Sequence, residues 1–340
     1  MKLLTVTVPC YNSAAYMRHA VDSMLPGGEE MDILIVDDGS TDETAAIADE
    51  YVRRYPDIVR VVHQPNGGHG AGINTGIREA LGLYFKVVDS DDRLDPAYLP
   101  GLLDVLRGQA DREDRLDLIV HDYVYDRPER QAVHRIRYGV VIPERREVSW
   151  SQMKRFHSSN QFMIHALVYR TQMLRDMGLK LPEHVFYEDN LYIYRPLPNT
   201  RRVYYYPEPL YGYFVGRADQ STNNSVILKR IENVTFIAEQ MTCSYHWTEM
   251  NALPTVLRDY MVSNACGNLC TASSQQYIVG TEESLRLHRR MWDTIRDFDA
   301  DLYRVLRRNP LGWAAGLDNA FGRWLMVFCY NAVRWFIKTN

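Results

Sequence analysis

Ile33-Leu34-Ile35-Val36-Asp37-Asp38-Gly39-Ser40-Thr41-Asp42 is the stretch that decides the fold. Four aliphatic residues in a row, with no polar alternation, describe a short strand buried on both faces. The acids and the glycine end it abruptly. Ser40-Thr41-Asp42-Glu43 then has the spacing of a capping box, which predicts a helix turning Ile47, Ala48, Tyr51 and Val52 inward. The same grammar recurs on either side. Leu3 to Val8 reads as a first strand, and Met17, Ala20, Val21, Met24 and Leu25 follow at helical spacing behind a cap at Asn12 or Ser13. Ile58 to His63 reads as a third strand, followed by Gly-rich Asn66 to Gly72 and a helix through Leu81; Tyr84 to Val88 reads as a fourth. Strand and helix in this rhythm predict βαβ units with right-handed crossovers, hence an α/β fold with a mixed, mostly parallel, Rossmann-like sheet flanked by helices.

Past residue 125 the pattern changes. Arg- and Tyr-rich segments with Pro at 128, 143, 182, 196, 198, 207 and 209 predict short strands and loops. Beyond Ser225 helical periodicity dominates: Leu253, Val256, Leu257, Tyr260, Met261, Ala265 and Leu269 form one stripe. The chain of 340 residues therefore divides into an α/β half (1–125), an irregular second half of the same domain (126–222) and a helical region (223–340).

Composition narrows the functional classes. At 46% apolar and 24% charged the chain has ample material for a core. Lys and Arg together number 39 against 43 acids, a net −4, which argues against a nucleic-acid surface. Arginine dominates the cations, 33 against six Lys, as carboxylate or phosphate clamps require, although compositional bias explains the excess equally well. Five Cys without a CxxC pair suggest a reducing compartment, and Cys266 and Cys270 read as core packing. The N-terminal Met1 to Val8 lacks a signal-peptide pattern, and no stretch is apolar for long enough to span a bilayer, so a cytoplasmic location is expected. His63, His121, His157 and His165 show no metal spacing and are expected to be structural or at the surface.

Open parallel sheets bind ligands beyond the carboxyl ends of their strands. Those positions hold Pro9-Cys10-Tyr11-Asn12, Asp37-Asp38-Gly39-Ser40-Thr41-Asp42, Asn66-Gly67-Gly68-His69-Gly70 and Asp89-Ser90-Asp91-Asp92. Each has a plain reading as a turn or cap. Asp89 and Asp91, however, repel one another where a strand leaves the sheet unless something neutralises them. A hard divalent cation shared with a diphosphate accounts for such a pair economically.

Val8-Pro9-Cys10-Tyr11-Asn12, Val36 to Asp42 and Val88-Asp89-Ser90-Asp91-Asp92, in that order and spacing, resemble family 2 glycosyltransferases of the GT-A fold. Tyr187-Glu188-Asp189-Asn190 is similar to their downstream Glu-Asp motif, and Gly216-Arg217-Ala218-Asp219-Gln220-Ser221 to the segment that closes the catalytic region. The resemblance covers about residues 3 to 222. It implies that Pro9, Tyr11 and Asn12 line the base and ribose, and that Asp37 or Asp38, with Asp38 slightly favoured, accepts a hydrogen bond from the base. It further implies that Asp89, with Ser90, faces the ribose or sugar, and that Asp91, with Asp89, binds Mn2+ or Mg2+ bridging the diphosphate. Asp189 would be the general base and Glu188 its support at the acceptor site; Arg217 and Gln220 would contact diphosphate or acceptor. Gly68, His69 and Asn74 fall in the Gly-rich segment expected to meet the nucleotide sugar. There the sequence departs from many relatives, which carry an Arg before the Asn; here Ile73 precedes Asn74, and His69 or a nearby Arg would have to replace that contact.

The implied reaction is inverting transfer of a sugar from a nucleoside diphosphate, by default UDP, to an acceptor hydroxyl of a saccharide or lipid-linked saccharide at the cell surface. A sugar nucleotidyltransferase would carry a Gly-rich, Arg-containing loop where Pro9 to Asn12 stand. A catalytically silent nucleotide- or carbohydrate-binding protein would have no need of intact Asp89, Asp91 and Asp189. At the C-terminal end, Phe321, Trp324, Leu325, Phe328, Cys329, Ala332, Val333 and Phe336 share one helical face near Arg323, Arg334 and Lys338. A helix packed on the rest of the chain or across a homodimer is the favoured reading, and peripheral contact with the inner face of a membrane the alternative.

Overall fold

A computed structural model describes residues 1–126, 134–157, 160–215 and 230–339, with side chains to residue 332. The chain forms two compact units, Met1–Arg217 and Ala218–Asn340.

The first unit is built on one ten-stranded sheet. Strands β1 (Leu4–Cys10), β2 (Met31–Asp37), β3 (Val59–His63) and β4 (Tyr84–Val87) pair in parallel in the order β3-β2-β1-β4. Every residue of β1 and β2 is buried, which is why their sequences are mostly apolar, with only Thr5, Thr7, Asp32 and Asp37 as polar members. Helices α1 (Met17–Met24), α2 (Thr44–Arg54) and α3 (His69–Glu79) connect them. The capping box expected at Ser40 to Glu43 does not form. Asp42 accepts the Thr44 amide at 2.9 Å, while Ser40 Oγ is turned to the Asn12 amide at 3.0 Å. The sheet then continues through short antiparallel and longer parallel ladders: β5 (Arg93–Leu94), α4 (Leu99–Arg107), β6 (Leu118–Asp126), β7 (His134–Ile136), β8 (Glu147–Val148), β9 (Leu167–Arg170), α5 (Thr171–Asp176), α6 (Asp189–Tyr194) and β10 (Val203–Phe214). Strand β9 runs antiparallel between β4 and β6, and β6 pairs in parallel with β10.

Strand β10 departs from the expectation of short strands and loops. Pro207 and Pro209 predict interruption, yet the strand runs for 12 residues. Its register against β6 shifts between Tyr206 and Pro209 and again between Pro209 and Tyr211, so the prolines sit in bulges, where the ladder needs no donor from them. Because β6 continues through Asp126, residues 125 and 126 lie within one strand.

The second unit is helical: α7 (Ile231–Thr242), α8 (Trp247–Asn251), α9 (Thr255–Val279), α10 (Glu282–Phe298), α11 (Ala300–Arg308), α12 (Pro310–Ala315) and α13 (Ala320–Thr339). Local chemistry sets these boundaries. Gly280 closes α9 at a φ of 66°, Thr281 Oγ1 accepts the Ser284 amide, and Asp299 accepts from Asp301 and Leu302. Leu257, Tyr260, Met261, Ala265 and Leu269 are buried along α9, as their spacing predicts, and Cys266 is buried with them; Val256 is half-buried, as is Leu253, which precedes the helix. All five cysteines are free thiols, and among the described residues no helix is long and apolar enough to cross a membrane.

One polar node locks the edge of the parallel half. Thr5 Oγ1 donates to buried Asp32 at 2.6 Å and accepts the amides of Leu81 and Gly82 at 3.0 and 2.8 Å, while Arg60 clamps Asp32 from the other side at 2.7 and 2.9 Å. Thr5→Val keeps the shape and strips these bonds. A loss of about 1–3 kcal/mol in urea unfolding is expected, because a buried amide is left without a partner; an unchanged midpoint would show that the node contributes nothing.

Candidate active site

The ends of β1, β2 and β4, the start of α3 and the segment 181–190 meet at one edge of the first unit. Asn12 leaves β1 in the left-handed region, at a φ of 51°, and its Oδ1 accepts the Thr41 amide at 2.8 Å, joining the first loop to the second. Tyr11 beside it is 54% exposed and available to a planar ligand. Pro9, by contrast, is buried: a Cβ added at Gly72 of α3 would come within 2.9 Å of its ring. Its visible role is to let α3 approach β1 closely.

Asp37 and Asp38 are both buried and both engaged. Asp37 accepts the Ser40 amide at 3.1 Å and the His63 ring at 2.8 Å. That contact raises the His63 pKa, and His63 also reaches Asp49 at 3.3 Å. Asp38 organises the Gly-rich loop. Its two oxygens accept from Gln64 (2.7 Å), Asn66 (3.1 Å) and the Gly67 and Gly68 amides (2.9 and 2.7 Å). Gly68 adopts a φ of 85° and lies so close to His184 that a side chain would press on its backbone. The Gly67 carbonyl accepts the His184 amide at 2.7 Å, which ties this loop to the segment carrying the Glu-Asp motif.

His69, the first residue of α3, joins the two motifs. Its Nε2 donates to Asp89 Oδ1 at 3.0 Å and its Nδ1 to Glu188 Oε1 at 2.7 Å. Burial works against the charged ring, but the two carboxylates outweigh it and hold its pKa well above the ordinary histidine value. Asp89 is correspondingly held below the usual carboxylate range against the cost of its burial. Glu188 is 2% exposed. Asp189 is the half-buried first residue of α6; burial and then the neighbouring Glu188 charge push its pKa up to about 6. Tyr187 and His184 hold left-handed φ values of 70° and 55°. With Asn12 they make three of the four non-glycine residues in that region among those described, and all three border this site. Such strain persists where surrounding contacts over-determine the backbone.

Below Asp89 lies a buried polar cluster that sequence reading missed. Asp92 is 1% exposed and accepts from the Tyr211 hydroxyl and the Phe214 amide (2.7 Å); burial, then Asp89 and Asp91, pushes its pKa well up. His165 directs Nε2 toward Asp89 and Asp92 at 4.0 and 3.9 Å, and burial lowers its pKa to about 4. These separations are too long for hydrogen bonds. They suit donors facing a common cation: one atom from each of Asp89, Asp92 and His165 falls within 4.8 Å of the others. Two carboxylates and a neutral imidazole are acceptable ligands for Mn2+ or Mg2+, so the residues fit the metal implied by the sequence. Asp91, expected as the metal ligand, is not part of this trio, whereas Asp89 is. His165, expected to be merely structural, is. Beneath them Lys86 in the centre of β4 is fully buried, with Nζ donating to the His165 carbonyl at 2.7 Å; burial lowers its pKa to about 7.

Other expected contacts fall elsewhere. Asn74 spends its amide on Leu181, donating to the carbonyl at 2.9 Å and accepting the amide at 2.8 Å, so it braces the segment leading to Glu188. Ile73 is fully buried, which leaves no room there for a nucleotide-binding Arg; His69 is the cation at this edge. Ser90 Oγ meets Ser13 Oγ at 2.8 Å and links the fourth loop to the first. Arg217 and Gln220 lie outside the described residues. His121 is buried with Nδ1 near the Asp122 carbonyl at 2.8 Å, and His157 is exposed. A lysine within an apolar strand was the one sequence signal for the hidden cluster; Asp92 and His165 are brought together by the strand order β4-β9-β6-β10.

Residues 5–181 match the family model described as glycosyl transferase family 2. The chain belongs to this family. It is 30% identical over 227 residues to an uncharacterized glycosyltransferase of Mycoplasma pneumoniae, covering 65% of this chain and 70% of that protein. It is 28% identical over 218 residues to the uncharacterized glycosyltransferase EpsJ of Bacillus subtilis, covering 62% and 60%. Among solved structures, S. aureus TarS 1–349 in complex with UDP-GlcNAc superposes with a TM-score of 0.68 at 19% identity, covering 98% of this chain and 92% of that one. The fold is therefore the GT-A type of this glycosyltransferase family.

The His69 bridge carries a testable consequence. His69→Ala leaves Glu188 buried without its cationic partner, and a loss of about 1–3 kcal/mol is expected in urea unfolding, discounted for the partial exposure of the imidazole. His69→Gln, which still donates one hydrogen bond, should recover part of it. Equal stability of all three proteins would show that the bridge does not hold the two motifs together.

Proposed function

We propose that this glycosyltransferase moves a sugar from a UDP-sugar to an acceptor hydroxyl with inversion, and that Asp189 is the general base. The observation that carries the reading is the placement of Asp189 beside Glu188, one imidazole away from Asp89. This brings the presumptive acceptor side and the donor side of the site together through His69. Tyr11 and Asn12 would contact base and ribose, and Asp37 or Asp38 the base edge. For Asp38 this means exchanging one of its loop hydrogen bonds. Asp89 would face the ribose or sugar. Bound by Asp89 with Asp91, or by Asp89 with Asp92 and His165, Mn2+ or Mg2+ supplies neutralisation of the charge that develops on the leaving diphosphate.

The chain's own part is proton transfer and orientation. A carboxyl with a pKa of about 6 is ionised at neutral pH yet more basic than an ordinary aspartate, which suits it to take a proton from an attacking hydroxyl. Glu188, held by His69 at 2.7 Å, lies beside Asp189 and contributes to raising the Asp189 pKa. Inversion needs the base on the face opposite the leaving group, and no covalent enzyme intermediate. Support for a uridine nucleotide comes from TarS, whose complex holds UDP-GlcNAc. A saccharide or lipid-linked saccharide destined for the cell surface is the acceptor class that the family resemblance favours.

Asp189→Asn is expected to lower transfer by about 10²–10⁴-fold while calorimetric binding of the UDP-sugar stays within about twofold; near-normal turnover would remove Asp189 from the role. Because the base works deprotonated, kcat should be level above pH 7 and fall about tenfold per unit below the pKa of about 6. A profile flat to pH 5 contradicts the assignment. Stripping divalent ions should stop diphosphate release and Mn2+ restore it. Titrating Mn2+ by electron paramagnetic resonance into Asp91→Asn and His165→Gln separates the two ligand sets, since only the variant that removes a true ligand weakens binding.

A further inference from the structure

We infer that the surface of α12 and α13 seats on an anionic lipid surface. Phe321, Trp324 and Phe328 project from α13 at spacings of three and four residues and are 58%, 59% and 57% exposed. They form one ladder, with ring centroids 6.1 and 5.4 Å apart and the second pair stacked at 15°. The helix is nevertheless anchored: Met326, on another side, is 3% exposed. Leu311 and Trp313 on α12 are exposed as well, at 43% and 47%. Three neighbouring aromatic rings facing water, two of them stacked, are an apolar surface of the kind that marks an interaction site, and aromatic rings are favoured at the lipid headgroup boundary.

Charge selects the occupant. From residue 302 onward the sequence holds six basic residues (Arg304, Arg307, Arg308, Arg323, Arg334 and Lys338) and one acid, Asp318, in a chain of net −4. Asp318 is shared between Arg289 and Arg323 at 3.5 and 3.6 Å and Arg304 is paired with Asp301 just before this stretch, so the basic excess is reduced but not cancelled. A second copy docking through this face would set the same positive excess against itself. Anionic headgroups complement it, each basic residue near such a surface adding to the attraction. Since no described helix can cross a bilayer, the face lies on the membrane and not through it.

The test is flotation of the full chain with vesicles of phosphatidylglycerol and phosphatidylcholine, compared with phosphatidylcholine alone. The chain should float with the anionic vesicles only, and raised salt should release it. Trp324→Glu with Phe328→Glu should lower the bound-to-free ratio by about tenfold or more. Its circular dichroism and its diphosphate release from donor should match the parent, since both rings are exposed and outside the catalytic unit. Absence of flotation with anionic vesicles overturns the inference, as does equal flotation of the double variant or equal binding to neutral vesicles. Self-association in sedimentation that the double variant abolishes, without vesicle binding, would assign the face to a second copy instead.

Discussion

One imidazole holds two carboxylates that the chain brings from segments 99 residues apart, one at the end of β4 and one at the start of α6. Asp89 leaves β4 and Glu188 precedes α6, and without a cation between them their charges would push these two segments apart. His69 can occupy that position because Gly68 turns the chain through a left-handed conformation immediately before α3, and because Asp38 holds Gly67 and Gly68 by their amides. The site is therefore a relay of short polar links. They run from Asp38 to the glycine loop, from Gly67 to His184, and from His69 to Glu188 and Asp89.

The same acids explain why this edge of the sheet is both strained and charged. Asp89, Asp91 and Asp92 are consecutive or nearly so, and burial makes their mutual repulsion expensive. The protein answers with Lys86 beneath them, with the Tyr211 hydroxyl on Asp92, and with His69 on Asp89. A divalent cation at Asp89, Asp92 and His165 would complete such an arrangement without any further positive side chain. This is consistent with the fully buried Ile73 at the position where many relatives place an Arg.

Strands β1 to β4 and the loops after them were legible in the sequence because fully buried parallel strands read as aliphatic runs and end at polar clusters. That the loops after these strands converge on one edge was legible through their order. What was not legible depends on contacts between distant segments. Asn74 looks like a ligand residue in its Gly-rich setting, but Leu181, more than a hundred residues later, takes both ends of its amide. Pro207 and Pro209 argue against a strand until the bulges opposite β6 are seen. His165 follows no metal-ligand spacing, and only the antiparallel insertion of β9 between β4 and β6 brings it beneath Asp89. In the helical unit, periodicity revealed which α9 residues face inward, but whether the α13 aromatics are covered or exposed is a property of packing that no stripe discloses.

The central claim, that this edge binds and activates a nucleotide sugar, is tested most directly by offering the chain a panel of UDP-, GDP- and dTDP-sugars without acceptor and measuring release of nucleoside diphosphate with and without Mn2+. The account predicts slow hydrolysis of a UDP-sugar, dependent on the metal and abolished together with it on chelation. Binding of a nucleotide sugar with no release from any donor, with or without metal, would contradict it and leave a binding protein on a glycosyltransferase scaffold.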